Sequence, residues 1–190
     1  MENAAISEQG IKTQTVELRD GTPLLIRPIQ PDDKALLKEG LARLSTRSRY
    51  QRFAMAVKEL SAAELKYLTE VDNKSHVAWV AIELSEGKER AVGVARYIRL
   101  DNDPDSAEVA VAVADSHQHR GLGTLLLARL AQSAKLNGVQ RFLAFVYWDN
   151  APVLKLVREL GAGIRFLGSG MIRVTGAVPD IPVDIPQSSW

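Results

Sequence analysis

AEVAVAVADSHQHRGLGTLLLARL, residues 107–130, changes period halfway along. Ala107 to Ala114 alternates small and apolar residues as a strand does, while Leu122, Leu125, Leu126, Leu130 and Ala134 fall on one helical face. Asn137-Gly138 then offers a left-handed helix end. The stretch reads as a strand, a tight turn and a long amphipathic helix, and that unit decides the fold.

Upstream, the β-rich segments His76 to Leu84 and Arg90 to Leu100 precede Ala107 to Ala114, separated by Ser85-Glu86-Gly87 and Asn102-Asp103-Pro104-Asp105. The three form an antiparallel meander. Further back, TVELRDGTPLLIRPI, residues 15–29, gives two short strands around an Asp20-Gly21 turn. Pro31 and Asp32 open a helix carrying Leu36, Leu37, Leu41 and Leu44, and Ser61 with Glu64 forms the capping box of a second. Downstream, RFLAFVYW, residues 141–148, is an apolar run expected to be a buried strand. Asn150 caps a final helix with Pro152 in its first turn and Leu154, Leu156, Val157 and Leu160 inside it. Gly161 and Gly163 release the chain into a last strand pair. The expected order is ββααβββαβαβ, an α/β domain with a mixed, largely antiparallel sheet flanked by helices.

Residues 1–14 lack apolar periodicity and are expected to form a flexible tail. Residues 176–190 carry Pro179, Pro182 and Pro186 and are expected to form a peripheral tail, which leaves residues 15–175 as the domain. A chain of 190 residues with 46% hydrophobic composition suits one core. Its 24 Lys and Arg against 23 Asp and Glu give a formal net charge of +1, too little for sequence-independent phosphate attraction, so no nucleic-acid partner is expected. The absence of Cys removes disulfides, zinc–thiolate sites and thiol nucleophiles. MENAAISEQG is neither a signal nor a transit peptide, and no apolar run reaches spanning length, so a cytoplasmic protein without membrane contact is expected.

The turn Gln118-His119-Arg120-Gly121-Leu122-Gly123 is the chemical centre of the sequence. Glycines at a helix start leave amides uncovered, and the helix dipole adds positive potential, so backbone N–H groups there can hold a pyrophosphate. Arg120 and His119 could add charge. The same spacing also suits a tight turn that binds nothing. A dinucleotide fingerprint would need Gly or Ala where Leu126 stands, and the Walker pattern is absent.

Gln118, Gly121 and Gly123 meet the pattern [RQ]-x-x-G-x-[GA], and with the flanking strand and helix, and with Asn150 ahead of APVLKLVREL and Gly161, the chain resembles the GNAT superfamily of acyl-CoA-dependent N-acyltransferases. LRDGTPLLIRPIQPDD (18–33), LSTRSRYQRF (44–53) and AEVAVAVADSHQHRGLG make it most similar to the bacterial protein lysine acetyltransferase branch. The resemblance implies the GNAT fold, acetyl-CoA as cosubstrate, no metal, and an amine acceptor that is a protein lysine or a small molecule. It also allows a homodimer. It makes Gln118 to Gly123, with Thr124 beside them, the pyrophosphate loop, Val111 and Val113 the backbone donors near the thioester, and Asn150 a contact to the CoA arm.

Glu108 matches the catalytic glutamate of that branch, and strand alternation puts it on one face with Ala110, Ala112 and Ala114, which could admit a ligand or a closely packed helix. On spacing alone, Glu108 is equally an ordinary solvated carboxylate. Many superfamily members carry a tyrosine in the last helix that protonates the departing thiolate; here Val157 holds that position, with Tyr147 a possible substitute. His76, His117 and His119 lack metal-ligand spacing and read as surface or turn residues. Arg43, Arg47, Arg49, Arg52 and Lys58 read as a solvated basic face, and Trp79, Trp148 and Phe142 as core. Alternatives to protein lysine acetylation are small-molecule amine acetylation and a non-catalytic acyl-CoA sensor.

Overall fold

The computed structural model describes residues 13–45, 59–85 and 87–182. Its strands are β1 (Gln14–Glu17), β2 (Pro23–Pro28), β3 (His76–Ser85), β4 (Lys88–Leu100), β5 (Asp103–Val113), β6 (Arg141–Tyr147), β7 (Gly163–Gly168) and β8 (Met171–Ala177). The helices are α1 (Lys34–Arg43), entered through a 3-10 turn at Pro31–Asp33, then α2 (Ala62–Thr69), α3 (Leu122–Leu136) and α4 (Ala151–Glu159). One eight-stranded sheet runs β1-β2-β3-β4-β5-β6-β8-β7, and its pairs are antiparallel except β5 with β6. The expected last strand pair is present as a hairpin, β7 and β8, so the structure has eight strands where the written order counts seven: Gly168 and Gly170 take positive φ at its turn, and β7 becomes the sheet edge. The chain also stays with the sheet beyond residue 175, with Val178 buried in the main core.

Alternation along β3 sorts the layers. Val77, Trp79 and Ala81 join the α3 leucines in the main core, whereas Ala78, Val80 and Ile82 face clusters that hold Leu36 and Leu37 of α1 and Leu65 and Leu68 of α2. Helix α4 shares the α3 face, packing Val157 on Val146, Ile172 and Val174. The strand and helix of residues 107–130 thus lie centrally, β5 under α3.

Local sequence accounts for the junctions. Ser61 Oγ accepts from the Glu64 amide at 3.2 Å while Glu64 Oε2 accepts from the Ser61 amide at 2.7 Å, so the capping box is complete. Arg27, at the end of β2, meets Asp33 through two hydrogen bonds of 2.7 Å, and Asp33 also accepts from the Gln30 amide. This buried bidentate pair fixes the angle at which α1 leaves the sheet. At Gly93 on β4 an added Cβ would lie 2.8 Å from Leu126 Cδ1 and 3.2 Å from Leu122 Cδ2, so glycine lets α3 sit directly on the strand.

Three expectations change. Trp148 is 61% exposed rather than core, unlike Trp79 and Phe142, because β6 ends at Tyr147 and Trp148 projects beyond the ladder. β6 itself is buried only at Phe142 and Val146, since its other residues face an open cleft or an uncovered sheet face. His117 is buried, its Nδ1 2.9 Å from Ser116 Oγ and its Nε2 3.4 Å from Glu83 Oε1, because the 3-10 turn Asp115–His117 tucks it against β3. Arg47, Arg49, Arg52, Lys58 and the SRYQRF stretch lie outside the described residues. Among the described residues no helix is long and apolar enough to cross a membrane.

His76 starts β3 half-buried, with its Nε2 3.1 Å from Arg96 Nη1. Arginine only donates, so Nε2 accepts and the ring is neutral. Burial, and then the Arg96 charge, pull its pKa down to about 4. The unfolded chain, with a pKa near 6.5, takes up that proton first, so stability is full above pH 6.5 and drains away as pH falls toward 4. Denaturant midpoints should drop across that window, and His76→Gln should flatten the drop. Gly93→Ala should lower stability by about 1–3 kcal/mol through overpacking, a fall in melting temperature readable by calorimetry.

Candidate active site

β5 and β6 pair over three residues only, Ser106 with Arg141, Ala107 with Phe142 and Glu108 with Leu143, and then separate. The gap opens into a cleft of about 600 Å³. Val109 to Val111 of β5 and Ala144 to Tyr147 of β6 form its sides, Gly123, Thr124 and Leu127 of α3 face Val153, Leu156 and Val157 of α4 across it, and Met171 and Pro179 close it below. The size suits an extended small-molecule arm in a largely apolar slot.

Backbone direction along β5 follows from two bonds. The Ala114 amide donates to Val92 O of β4 at 2.8 Å, whereas the Val113 carbonyl, on the opposite edge, accepts from Gln118 Nε2 at 3.1 Å. Alternation therefore turns the N–H groups of Val111 and Val113 away from β4, toward the side where β6 has departed.

At the end of the cleft stands the start of α3. Gly121 is its N-cap at φ 88°, a left-handed conformation that glycine takes without strain, and no side chain caps it. The first intrahelical bond runs from Leu125 N to Gly121 O at 3.0 Å, which leaves the amides before Leu125 without an intrahelical acceptor, a geometry able to take an anion. Gly123 and Thr124 line the cleft, whereas the Leu122 side chain is 1% exposed, so this residue can offer only its N–H. His119 takes φ 60° in the turn. Arg120 Nη1 lies 2.9 Å from Asp20 Oδ2 of the β1–β2 turn, an exposed, solvent-screened pair that a competing anion can displace.

Glu108 is exposed at the mouth of the cleft, flanked across the sheet by Ile98 and Leu143. Of its same-face partners, Ala112 and Ala114 share a cavity wall with Leu37, Gly40 and Leu41 of α1, so a closely set helix accounts for their small size. Asn150 Oδ1 accepts from the Val153 amide at 3.4 Å, capping α4, and Asn150 also lines the cleft. Val157 is buried in the α4 core, and Tyr147 lines the cleft at the end of β6. The structure thus brings Glu108, Val111, Gly123, Thr124, Asn150, Val157 and Tyr147 onto one cavity, and Gln118 to Gly121 to its end. Phe145 and Met171 belong to its wall as well, as does Pro179, which the sequence assigns to a peripheral tail; nothing in an apolar run distinguishes a cleft wall from a core strand. No cluster of three or more His, Asp or Glu side chains able to hold a metal occurs among the described residues.

The chain matches the Acetyltransferase (GNAT) domain over residues 23–163. It is 37% identical over 169 residues to Acetyltransferase Pat of Mycolicibacterium smegmatis, covering 89% of this chain and 49% of that protein, so it spans about half the length of that relative. An acetyltransferase of Pseudomonas aeruginosa is 32% identical over 151 residues, covering 80% of this chain and 78% of that protein. Among solved structures, the GNAT domain of S. lividans PAT superposes with a TM-score of 0.77 at 31% identity, covering 87% of this chain and 96% of that one. A mixed sheet split between β5 and β6, a glycine-led helix at the split, and a profile match over most of the chain agree: this chain belongs to the GNAT acetyltransferase family.

Proposed function

We propose that the chain is an N-acetyltransferase that moves an acetyl group from acetyl-CoA to a primary amine, the side chain of a protein lysine. The observation that carries this reading is the continuity of one cleft from the exposed carboxylate of Glu108, past the outward edge of β5, to the uncapped amides at Gly121 to Thr124. An apolar slot with an anion site at one end fits a pantetheine arm ending in a pyrophosphate. When bound, acetyl-CoA supplies the acyl thioester.

The chain's own groups then have separate tasks. The amides from Gly121 to Thr124 hold the pyrophosphate, with Arg120 and His119 beside them and Gln118 bracing the loop against Val113. Val111 and Val113 direct N–H groups toward the carbonyl oxygen that gains charge on attack. A lysine, with a pKa near about 10.4, arrives charged, so a base must take its proton; Glu108, exposed beside the slot, accepts it directly or through one water. A thiol pKa of about 8.5 lets the thiolate leave without an acid at position 157, where Val157 is committed to packing. The resemblance of residues 18–33, 44–53 and 107–123 to the protein lysine acetyltransferase branch favours a protein acceptor over a metabolite.

Labelled acetyl-CoA incubated with the protein and a cell lysate to which its small molecules have been returned separates the possibilities. Label in protein bands is expected, with Glu108→Gln cutting turnover by about a hundredfold or more while acetyl-CoA still binds. Label confined to metabolites would make this a small-molecule acetyltransferase, and binding without any transfer would make it a sensor.

A further inference from the structure

The sheet has a second face around the cleft. Beyond Glu108 the α1 and α2 side continues across β6, β8 and β7, and there no described helix covers it, the packing of α4 being all on the opposite side. Phe145, Arg173 and Arg165 stand in one cross-strand row on this open face, Phe145 opposite Arg173 and Arg173 opposite Arg165. Phe145 is 43% exposed and also forms part of the cleft wall.

The two arginines are an unusual pair. Like charges directly across a ladder repel and weaken the sheet. Elsewhere the arginines of this sheet meet acceptors: Arg27 has Asp33, Arg141 has Asp103, and Arg99 has backbone carbonyls. Arg165 and Arg173 have no hydrogen-bond or ion-pair partner among the described residues, and Nε of Arg173 is buried without one. A planar, doubly cationic row beside an exposed aromatic ring suits a carboxylate, which each guanidinium can grip through two parallel bonds.

We infer that this open face is the docking surface for the acceptor and that Arg165 and Arg173 select lysines set among acidic residues. The inference rests on the proposed lysine acetyltransferase function. Ladder spacings put Arg173 roughly 12 Å from Glu108, two strands across and two residues along. An extended segment advances about 3.3 Å per residue, so the acidic side chain lies within about four positions of the lysine that reaches Glu108. The row stands on the side of the sheet away from α3 and α4, so it serves the acceptor and not the CoA phosphates.

The test is a panel of lysine peptides bearing Asp or Glu, Ser, or Lys within four positions of the acceptor, with kcat/KM measured for each. The wild type should favour the acidic peptides over the Ser peptides by about tenfold, and the preference should shrink as salt rises. The double variant Arg165→Glu, Arg173→Glu should turn toward the Lys-flanked peptides, an inversion that loss of structure does not produce. Arg165→Glu alone, at an exposed site on the edge strand, should erase most of the preference if the double variant does not fold. Peptides acetylated with equal efficiency whatever their charge would overturn the inference and leave the proposed function standing. A wild type that acetylates neither peptide nor lysate protein would bring down both.

Discussion

Everything at the site depends on the parting of β5 from β6. A parallel pair that kept its register past Glu108 and Leu143 would satisfy the backbone of both strands and leave no slot. Because pairing stops there, the β5 edge turned away from β4 has lost its ladder partner, and its N–H groups become donors for something else. The divergence also separates the parts of the sheet under α3 and α4, so the cleft is roofed by two helices and ends at the glycine-led start of one of them. Apolar wall and outward β5 amides are consequences of the same break, and the uncapped start of α3 stands at its end.

Helix α3 can serve that break only because it lies close to the sheet. Gly93 allows Leu122 and Leu126 to press on β4, and Gly121 lets the chain enter the helix in a left-handed conformation with bare amides. The first turn of α3 is thereby fixed against the end of β5. Gln118, reaching back to the Val113 carbonyl, ties the loop to the same strand. A buried bidentate pair between Arg27 and Asp33 does the equivalent for α1, setting the helix whose Leu37, Gly40 and Leu41 back onto Ala112 and Ala114.

Features written in short-range chemistry were legible in the sequence. The switch of period between Val113 and Leu122, the Ser61–Glu64 capping box, the Asn137-Gly138 helix end and the Asn150 cap all appear where residue type and spacing put them. Features set by what a strand lies beside were not. RFLAFVYW has the composition of a buried strand, yet Phe145 and Trp148 are exposed because the neighbouring strand diverges and the ladder ends. His117 carries no local sign of burial; a 3-10 turn carries it against Glu83. At the cleft, Glu108 and Gly123 lie where the spacing of residues 107–123 puts them, whereas Met171 and Pro179 reach it only through the closing hairpin and the chain beyond it.

The most direct measurement is backbone amide NMR during an acetyl-CoA titration. On this reading the largest shifts fall at two groups of amides, Val111 and Val113 on the open edge of β5 and Gly121 to Thr124 at the start of α3, with β1 to β3 little changed. Saturable binding that leaves both groups of amides unmoved would contradict it, because the parting of β5 from β6 would then have no part in holding the cofactor.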